Sequence, residues 1–421
     1  MPAHFDTLEL RDPALRERDL FARLPAQIAH AKANAPAYAN LLAGVDPASV
    51  VTRAALSALP VTRKSAMLEL QKASRPFGGF AATGWGAHAN RAQRVFASPG
   101  PLYEPETGRP DYWRLARALV AAGFEPGDLL HNTFAYHFTP AGSMVEAAAL
   151  AVGCTIFPAG TGQTEMQVQA IADLKPAGYV GTPSFLKIIL DKADEIGADI
   201  SSLTKALVSG EAFPPSLRDA LTARGIGGYQ VYASADLGCI AYESVARSGL
   251  VVDEGVIVEI LRPGTGDPVA AGEVGEVVVT TFNPDYPLVR FGTGDLSAVL
   301  PESMTNPSPC GRTNMRLKGW LGRADQTTKV KGMFVHPAQV AEIVRRHPAL
   351  LKARLVVDNP DGNDRMTLRC ETEAGGETGE LASAISGSIR DVTKLRGEVA
   401  LCAPGTLPND GKVIDDIRRY D

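Results

Sequence analysis

The 421-residue sequence predicts an α/β protein with a large N-terminal domain of parallel sheets covered by helices, a β-rich subdomain, and a small α+β C-terminal domain. Three observations predict it. From Gly123 to Gly210 short apolar runs alternate with segments of helical period. After Glu243 the texture changes to Val/Glu alternation, which suits antiparallel strands. The length exceeds what one core usually supports, and about a hundred residues of mixed pattern follow a glycine-flanked Asp325. The expected division is therefore 1–324 and 325–421.

Composition narrows the class. Hydrophobic content of 45% and charged content of 21% are ordinary for a folded chain. A net charge of −5 without blocks of like charge offers no footprint for nucleic acid. Five scattered cysteines, Cys154, Cys239, Cys310, Cys370 and Cys402, without a Cys-x-x-Cys, fit a reducing compartment. The start, Met-Pro-Ala-His-Phe-Asp, has no basic region leading into an apolar run, and nothing approaches the ~18 apolar residues of a membrane span. The expectation is a cytoplasmic enzyme with no membrane partner.

Taken in order, Leu15 to Ala33 carries apolar residues at helical spacing, with Pro25 expected to split the run. Pro60 and Thr62-Arg-Lys64 open a segment punctuated by Gly78-Gly79 and Gly84, as a loop over a site would be. At Val95 a short apolar strand runs into Ser98-Pro-Gly-Pro101, and Tyr112 to Ala122 has helical pattern. Strand, small-residue loop, helix is a layout that presents N–H groups to an anion, and a plain proline-rich turn is the alternative. Leu129–Tyr136, Cys154–Pro158, Gly178–Gly181 and Ala206–Ser209 read as buried strands, with helices at Ser143–Val152, Glu165–Leu174 and Pro183–Gly197. Ligands bind at the carboxyl ends of such strands. That points to Tyr136–Gly142, Gly160–Gly162, Gly181–Pro183, Ser209–Ala212 and Tyr232–Asp236. Val256–Ile260 and Gly275–Thr281 form a hairpin pattern. Beyond Asp325 come a helix at His336–His347, strands at Leu351–Val357 and Arg365–Glu371, a helix at Glu377–Asp391, a strand at Glu398–Leu401 and a polar tail.

One stretch, Tyr286-Pro-Leu-Val-Arg-Phe-Gly-Thr-Gly-Asp295, followed by Gly322-Arg-Ala-Asp325 and Lys329-Val-Lys-Gly332, suits a site that grips a ribose beside a hinge. Together with Gly181-Thr-Pro-Ser184, Ser209-Gly-Glu211, Pro309-Cys-Gly-Arg312 and Lys331-Gly-Met-Phe-Val-His-Pro337, it resembles the adenylate-forming superfamily, most closely its phenylacetate–CoA ligase branch. The resemblance covers nearly the whole chain.

That resemblance implies roles. Ser209, Gly210 and Glu211 would line the adenine pocket and Tyr232 would stack on the base. Asp236 stands where the family has a glutamate that helps hold Mg²⁺. Asp295 would accept the ribose hydroxyls, Arg323 would lie near ribose and phosphate, and Asp325 would be the hinge of a mobile C-terminal domain. Lys412 would reach the carboxylate and α-phosphate during adenylation, and Lys331 and Gly332 would line the CoA tunnel. Tyr136, His137 and Phe138 fall where the acyl pocket lies. The implied cofactors are ATP, Mg²⁺ and coenzyme A, the substrate is a small aromatic or arylacetic acid, and the implied assembly is a homodimer.

Two departures stand out. The phosphate loop, which contains Ser98 and Gly100, is Ala97-Ser-Pro-Gly-Pro-Leu-Tyr-Glu104, with prolines that remove N–H donors and no lysine. Some relatives hold zinc through cysteines near Cys310, but Ser308 replaces one of them, and Cys310 with Cys239 is too few thiolates for a closed site. No zinc is expected. Two alternatives stay open: transfer of the acyl group to a carrier protein or other acceptor, and a non-catalytic ligand-binding paralogue.

Overall fold

The computed structural model describes residues 4–85, 91–262, 266–324, 328–335, 337–360, 363–373, 379–408 and 412–418. The chain divides into two compact units, Met1–Gly322 and Arg323–Asp421.

The first long helix, Pro13–Asn34, starts where Asp12 accepts the N–H groups of Ala14 and Leu15 and where Pro13 is preset for a helical first turn. Pro25 lies inside this helix rather than splitting it. A mid-helix proline costs ~3 kcal/mol or more. The buried face of Leu20, Phe21, Leu24 and Ile28 returns about 1.5–3 kcal/mol per side chain, which outweighs that cost. Ahead of the helix, the carboxylate of Glu9 is fully buried. It accepts from Phe5 N–H at 2.6 Å, from Tyr242 OH at 2.9 Å and from the Arg312 guanidinium.

Strands of this unit are β1 (Thr62–Arg63), β2 (Arg94–Ser98), β3 (Leu102–Glu106), β4 (Leu129–Asn132), β5 (Thr155–Pro158), β6 (Gly178–Gly181), β7 (Lys205–Val208), β8 (Gly227–Ser234), β9 (Gly238–Tyr242), β10 (Leu250–Val252), β11 (Val256–Leu261), β12 (Gly275–Thr281), β13 (Phe291–Ser297) and β14 (Arg316–Leu317). The main sheet has the order β14-β10-β9-β8-β7-β6-β4-β5. From β5 to β8 it is parallel. The rest is antiparallel. Side chains alternate between two cores. Leu130, Val180, Leu207 and Val231 join one with helix Ala141–Val152, while Tyr179, Ala206 and Val208 join another with helices Thr164–Leu174 and Pro183–Ile196. Both faces are thereby covered, as parallel strands require.

In a second sheet β1, β13, β12 and β11 are neighbours. The expected hairpin is present, with Val256 opposite Thr281.

The segment expected as strand, loop and helix is different. β2 and β3 pair antiparallel, with Ser98 opposite Leu102, so Pro99, Gly100 and Pro101 form a tight hairpin turn. The following helix begins only at Ala116. The strand expected to reach Tyr136 ends at Asn132, where loop bonds take over from the sheet ladder.

In the second unit, strands Glu398–Cys402, Arg365–Thr372, Leu350–Asp358 and Ile414–Asp416 form a sheet in that order, with helices Pro337–Arg346 and Gly379–Thr393. The expected polar tail contains a strand, Ile414–Asp416, parallel to Leu350–Asp358. The unit has its own core, around Leu355, Val357, Leu368, Ile385 and Ile389.

Candidate active site

The carboxyl ends of the parallel strands carry loops fixed by side-chain bonds to the sheet. At the end of β4, Asn132 Nδ2 donates to Tyr136 Oη at 2.8 Å and to Gly142 O at 3.1 Å, and its Oδ1 accepts from Phe134 N at 3.2 Å. Gln167 Nε2 donates to Gly160 O at 3.0 Å and Gly162 O at 3.1 Å, holding the loop after β5. After β7, Ser209 N bonds Gly181 O at 3.1 Å and Ser209 Oγ donates to Val231 O at 2.7 Å. Gly210 follows at φ +85°, a conformation that favours glycine, and the Glu211 carboxylate accepts from Ser184 N at 2.6 Å.

Two segments from different sheets meet at Asp295. Tyr232 Oη, on β8, donates to Asp295 Oδ2 at 2.9 Å, and Trp320 Nε1 donates to Oδ1 at 3.1 Å. Thr293 Oγ1 lies 3.3 Å from Tyr232 Oη and accepts Asp295 N at 3.0 Å. Asp295 and Tyr232 are both half-buried.

A third group lies under the β2–β3 hairpin. Gln71, on helix Lys64–Ala73, binds Tyr103 in both directions, Nε2 to O at 3.0 Å and Oε1 from N at 2.8 Å. Ala97 N donates to Phe138 O at 2.7 Å, so the hairpin also touches the loop after β4. Ser98 is buried, and its hydroxyl and its N–H, the latter at 3.3 Å, donate to Glu104. Burial, and next the Asp236 carboxylate, push the Glu104 carboxyl up to about 8. Lys64 Nζ reaches Asp236 Oδ2 at 2.7 Å. Asp236 Oδ1 is buried and has no hydrogen-bond partner among the described residues. A buried, orphaned hard oxygen fits Mg²⁺, which takes one or two carboxylates and completes its shell with water and phosphate.

Other expected residues are less enclosed. His137 packs edge-on to Phe138 with ring centroids 6.2 Å apart. Phe138 is 77% exposed at φ +61°. Tyr136, whose phenol burial pushes up to about 12, is the better enclosed aromatic. In the second unit, Lys331 and Gly332 form an exposed turn at φ +46° and +83°, and Lys331 N bonds Asp364 Oδ2 at 2.8 Å. Lys412 is exposed, 3.0 Å from Asp415 Oδ1. Arg323 ends the short strand Gly322–Arg323, and Asp325 lies outside the described residues. Cys310 bonds Ser244 Oγ at 3.1 Å and Ser308 Oγ at 3.2 Å, while Cys239 is buried in β9.

Sequence reasoning missed Trp320, Asn132, Lys64 and Glu104 as site residues. Signals existed for two: Lys64 closes the Thr62-Arg-Lys64 punctuation, and Glu104 was visible as an acid in a loop that should be basic.

Residues 112–283, which include the parallel sheet, match the AMP-binding enzyme family. Phenylacetate-coenzyme A ligases are similar over almost the full length. That of Aromatoleum evansii is 29% identical over 91% of this chain and 89% of its own. That of Thermus thermophilus is 29% identical over 92% of each, and that of Escherichia coli 27% over 93% and 92%. Similarity to phenylacetate-coenzyme A ligases thus runs over nearly the whole chain, and the AMP-binding match over its middle part. A structure of 2-hydroxyisobutyryl-CoA ligase with 2-HIB-AMP and CoA has the same fold, with a TM-score of 0.80 at 23% identity, covering 98% of this chain and 92% of that one.

Proposed function

We propose that this chain is an ATP-dependent carboxylate–CoA ligase of the phenylacetate–CoA ligase branch, acting through an acyl-adenylate on an aromatic or arylacetic acid. The observation that carries this reading is the Asp295 carboxylate aimed by Tyr232 and Trp320. A doubly oriented carboxylate is suited to accept two adjacent hydroxyls, as on a ribose. Tyr232 offers a ring face to the base, and the Ser209-Gly-Glu211 turn its edge contacts. The names of the relatives supply the acid class and the thiol.

The chemistry follows from charge. Adenylation joins a carboxylate to an α-phosphate, two anions, so cations must offset the developing charge. Mg²⁺, held by Asp236, would supply Lewis acidity at the phosphates. Lys412 is the cation of the first half-reaction, Arg323 lies at ribose and phosphate, and Asp325 is the hinge that exchanges Lys412 for Lys331 and Gly332 when the thiol of CoA attacks the acyl carbon. The Tyr136–Phe138 loop borders the acid, with Tyr136 its enclosed wall. Cytoplasmic location and a homodimer complete the reading.

Pyrophosphate release should be measured across aromatic and aliphatic acids, with and without CoA. Release with one aromatic acid, giving AMP and a thioester, is the expected result, and Lys412→Ala should cut it while sparing thioester formation from supplied acyl-AMP. A thioester formed only on a carrier protein would replace CoA as acceptor. Silence across the panel together with no ATP binding would identify a non-catalytic paralogue, to which the proline-rich hairpin lends support.

A further inference from the structure

Two consecutive residues at the end of β4 point to opposite faces of the sheet and serve two different loops. Asn132 ties down the loop from Tyr136 to Gly142. On the other face His131 is fully buried, stacks on Phe157 of β5 with ring centroids 5.3 Å apart, and meets Gln167 Oε1 through Nε2 at 2.5 Å. Gln167 lies on helix Thr164–Leu174, and its Nε2 donates to the carbonyls of Gly160 and Gly162 at 3.0 and 3.1 Å. An amide that uses both of its hydrogens on carbonyls has only an acceptor left to offer. His131 Nε2 therefore carries the proton, and Nδ1 is bare, buried without a partner among the described residues. Burial favours this neutral form by pushing the imidazole pKa down. One tautomer of one histidine thus directs the amide that holds the loop after β5.

The glycines of that loop border open space. Gly160 and Gly162 have φ of +69° and +73°, and a Cβ on either would meet none of the described residues within 4 Å. Gly160 N also donates to Asn132 O at 3.0 Å, so the loop runs beside the residue that fixes Tyr136. A wall displaced by about 1 Å next to a bound substrate is enough to change its fit by an order of magnitude or more.

We propose that His131 and Gln167 are a positioning pair that sets the loop Ala159–Gly162 as a wall of the acid site beside Tyr136, and so bear on which carboxylic acid is bound. The acid role rests on the ligase reading; the hold on the loop does not.

Two measurements on the full-length protein test it. In ligand-free protein, hydrogen exchange read by mass spectrometry should show the Gly160 amide exchanging about tenfold faster in Gln167→Glu, which still accepts from His131 but has no hydrogens for the two carbonyls. With an acid that supports pyrophosphate release, Gln167→Glu and His131→Leu should raise KM for the acid about tenfold and leave KM for ATP within about twofold. His131→Gln, which places an amide N–H where Nε2 stands, should bring KM for the acid back to within about threefold of wild type. Thermal unfolding checks that the variants fold, and Gln167→Glu, which keeps the volume, decides the matter where His131→Leu does not fold. Unchanged Gly160 exchange in folded Gln167→Glu overturns the hold on the loop. Faster exchange with equal rises in both KM values, or with no rise, overturns the acid role. Silence of the wild type with every acid removes the ligase reading and the acid role with it, whereas an active wild type whose variants show no acid-selective change removes this proposal alone.

Discussion

Asp295 illustrates how a single carboxylate is prepared. Hydrogen bonds to an ionised group are worth about 1.5–3 kcal/mol each, so Tyr232 and Trp320 together fix its orientation firmly. Tyr232→Phe keeps the ring and removes one donor. AMP affinity should fall roughly 10- to 100-fold, and an unchanged Kd by calorimetry would dissociate the hydroxyl from nucleotide binding. The sequence singles out Asp295 through its Thr-Gly-Asp turn, which is local information. Trp320 has no such signal. It is 25 residues away, and ladder bonds from Lys318 N to Ala298 O and Leu321 N to Leu296 O, each 2.9 Å, bring it alongside. Cys310 offers a second test. Burial raises its thiol, but hydrogen bonds with Ser244, Ser308 and Arg312 outweigh that and bring it to about 7, while burial pushes Cys154, Cys239 and Cys370 up. The thiolate is present above its pKa and lost below it. Iodoacetamide labelling, mapped by mass spectrometry, should favour Cys310 over those three, with a midpoint near pH 7, and a midpoint above 9 would contradict its hydrogen bonding.

At the level of elements, the loop after β4 depends on one close approach. A Cβ on Gly142 would stand 2.7 Å from Ala135 O and 2.9 Å from the Tyr136 ring. Neither a backbone carbonyl nor a packed ring yields cheaply. Gly142→Ala should cost about 1–3 kcal/mol in denaturant unfolding and raise KM for the acid more than KM for ATP. Equal changes in both would mean that Tyr136 does not border the acid. The alternating strands and helices of the parallel sheet were readable because each is set by its own period and bounded by glycine or proline. The hairpin was not, since its prolines suggest a loop. Two of them occupy the turn, and Pro105 lies opposite Val95 in a two-stranded ribbon where an N–H can be spared. Strand Ile414–Asp416 escaped notice because three residues with one buried apolar side chain carry no periodic signal.

At the scale of the molecule, each compact unit has its own hydrophobic core, with three clusters in Met1–Gly322 and one in Arg323–Asp421 among the described residues. A unit with a full core should fold alone. A fragment of residues 1–322 should unfold cooperatively and bind AMP, yet release no pyrophosphate because it lacks Lys412. A fragment that stays unfolded would show that the first unit needs the second for stability. The change of texture along the sequence points to a boundary near Asp325. Pairings between distant segments leave no such mark, because nothing local in Glu9 points to Tyr242 or Arg312.

That buried Glu9 couples positions 303 residues apart. On a ribosome adding about 5–20 residues per second, Arg312 appears roughly 15–60 s after Glu9. Through that interval the opening turn has no guanidinium to bind, and the first unit cannot be sealed. The start of this chain is thus among the last parts to find its place, and a nascent polypeptide halted before residue 312 should leave its leading end accessible to a protease.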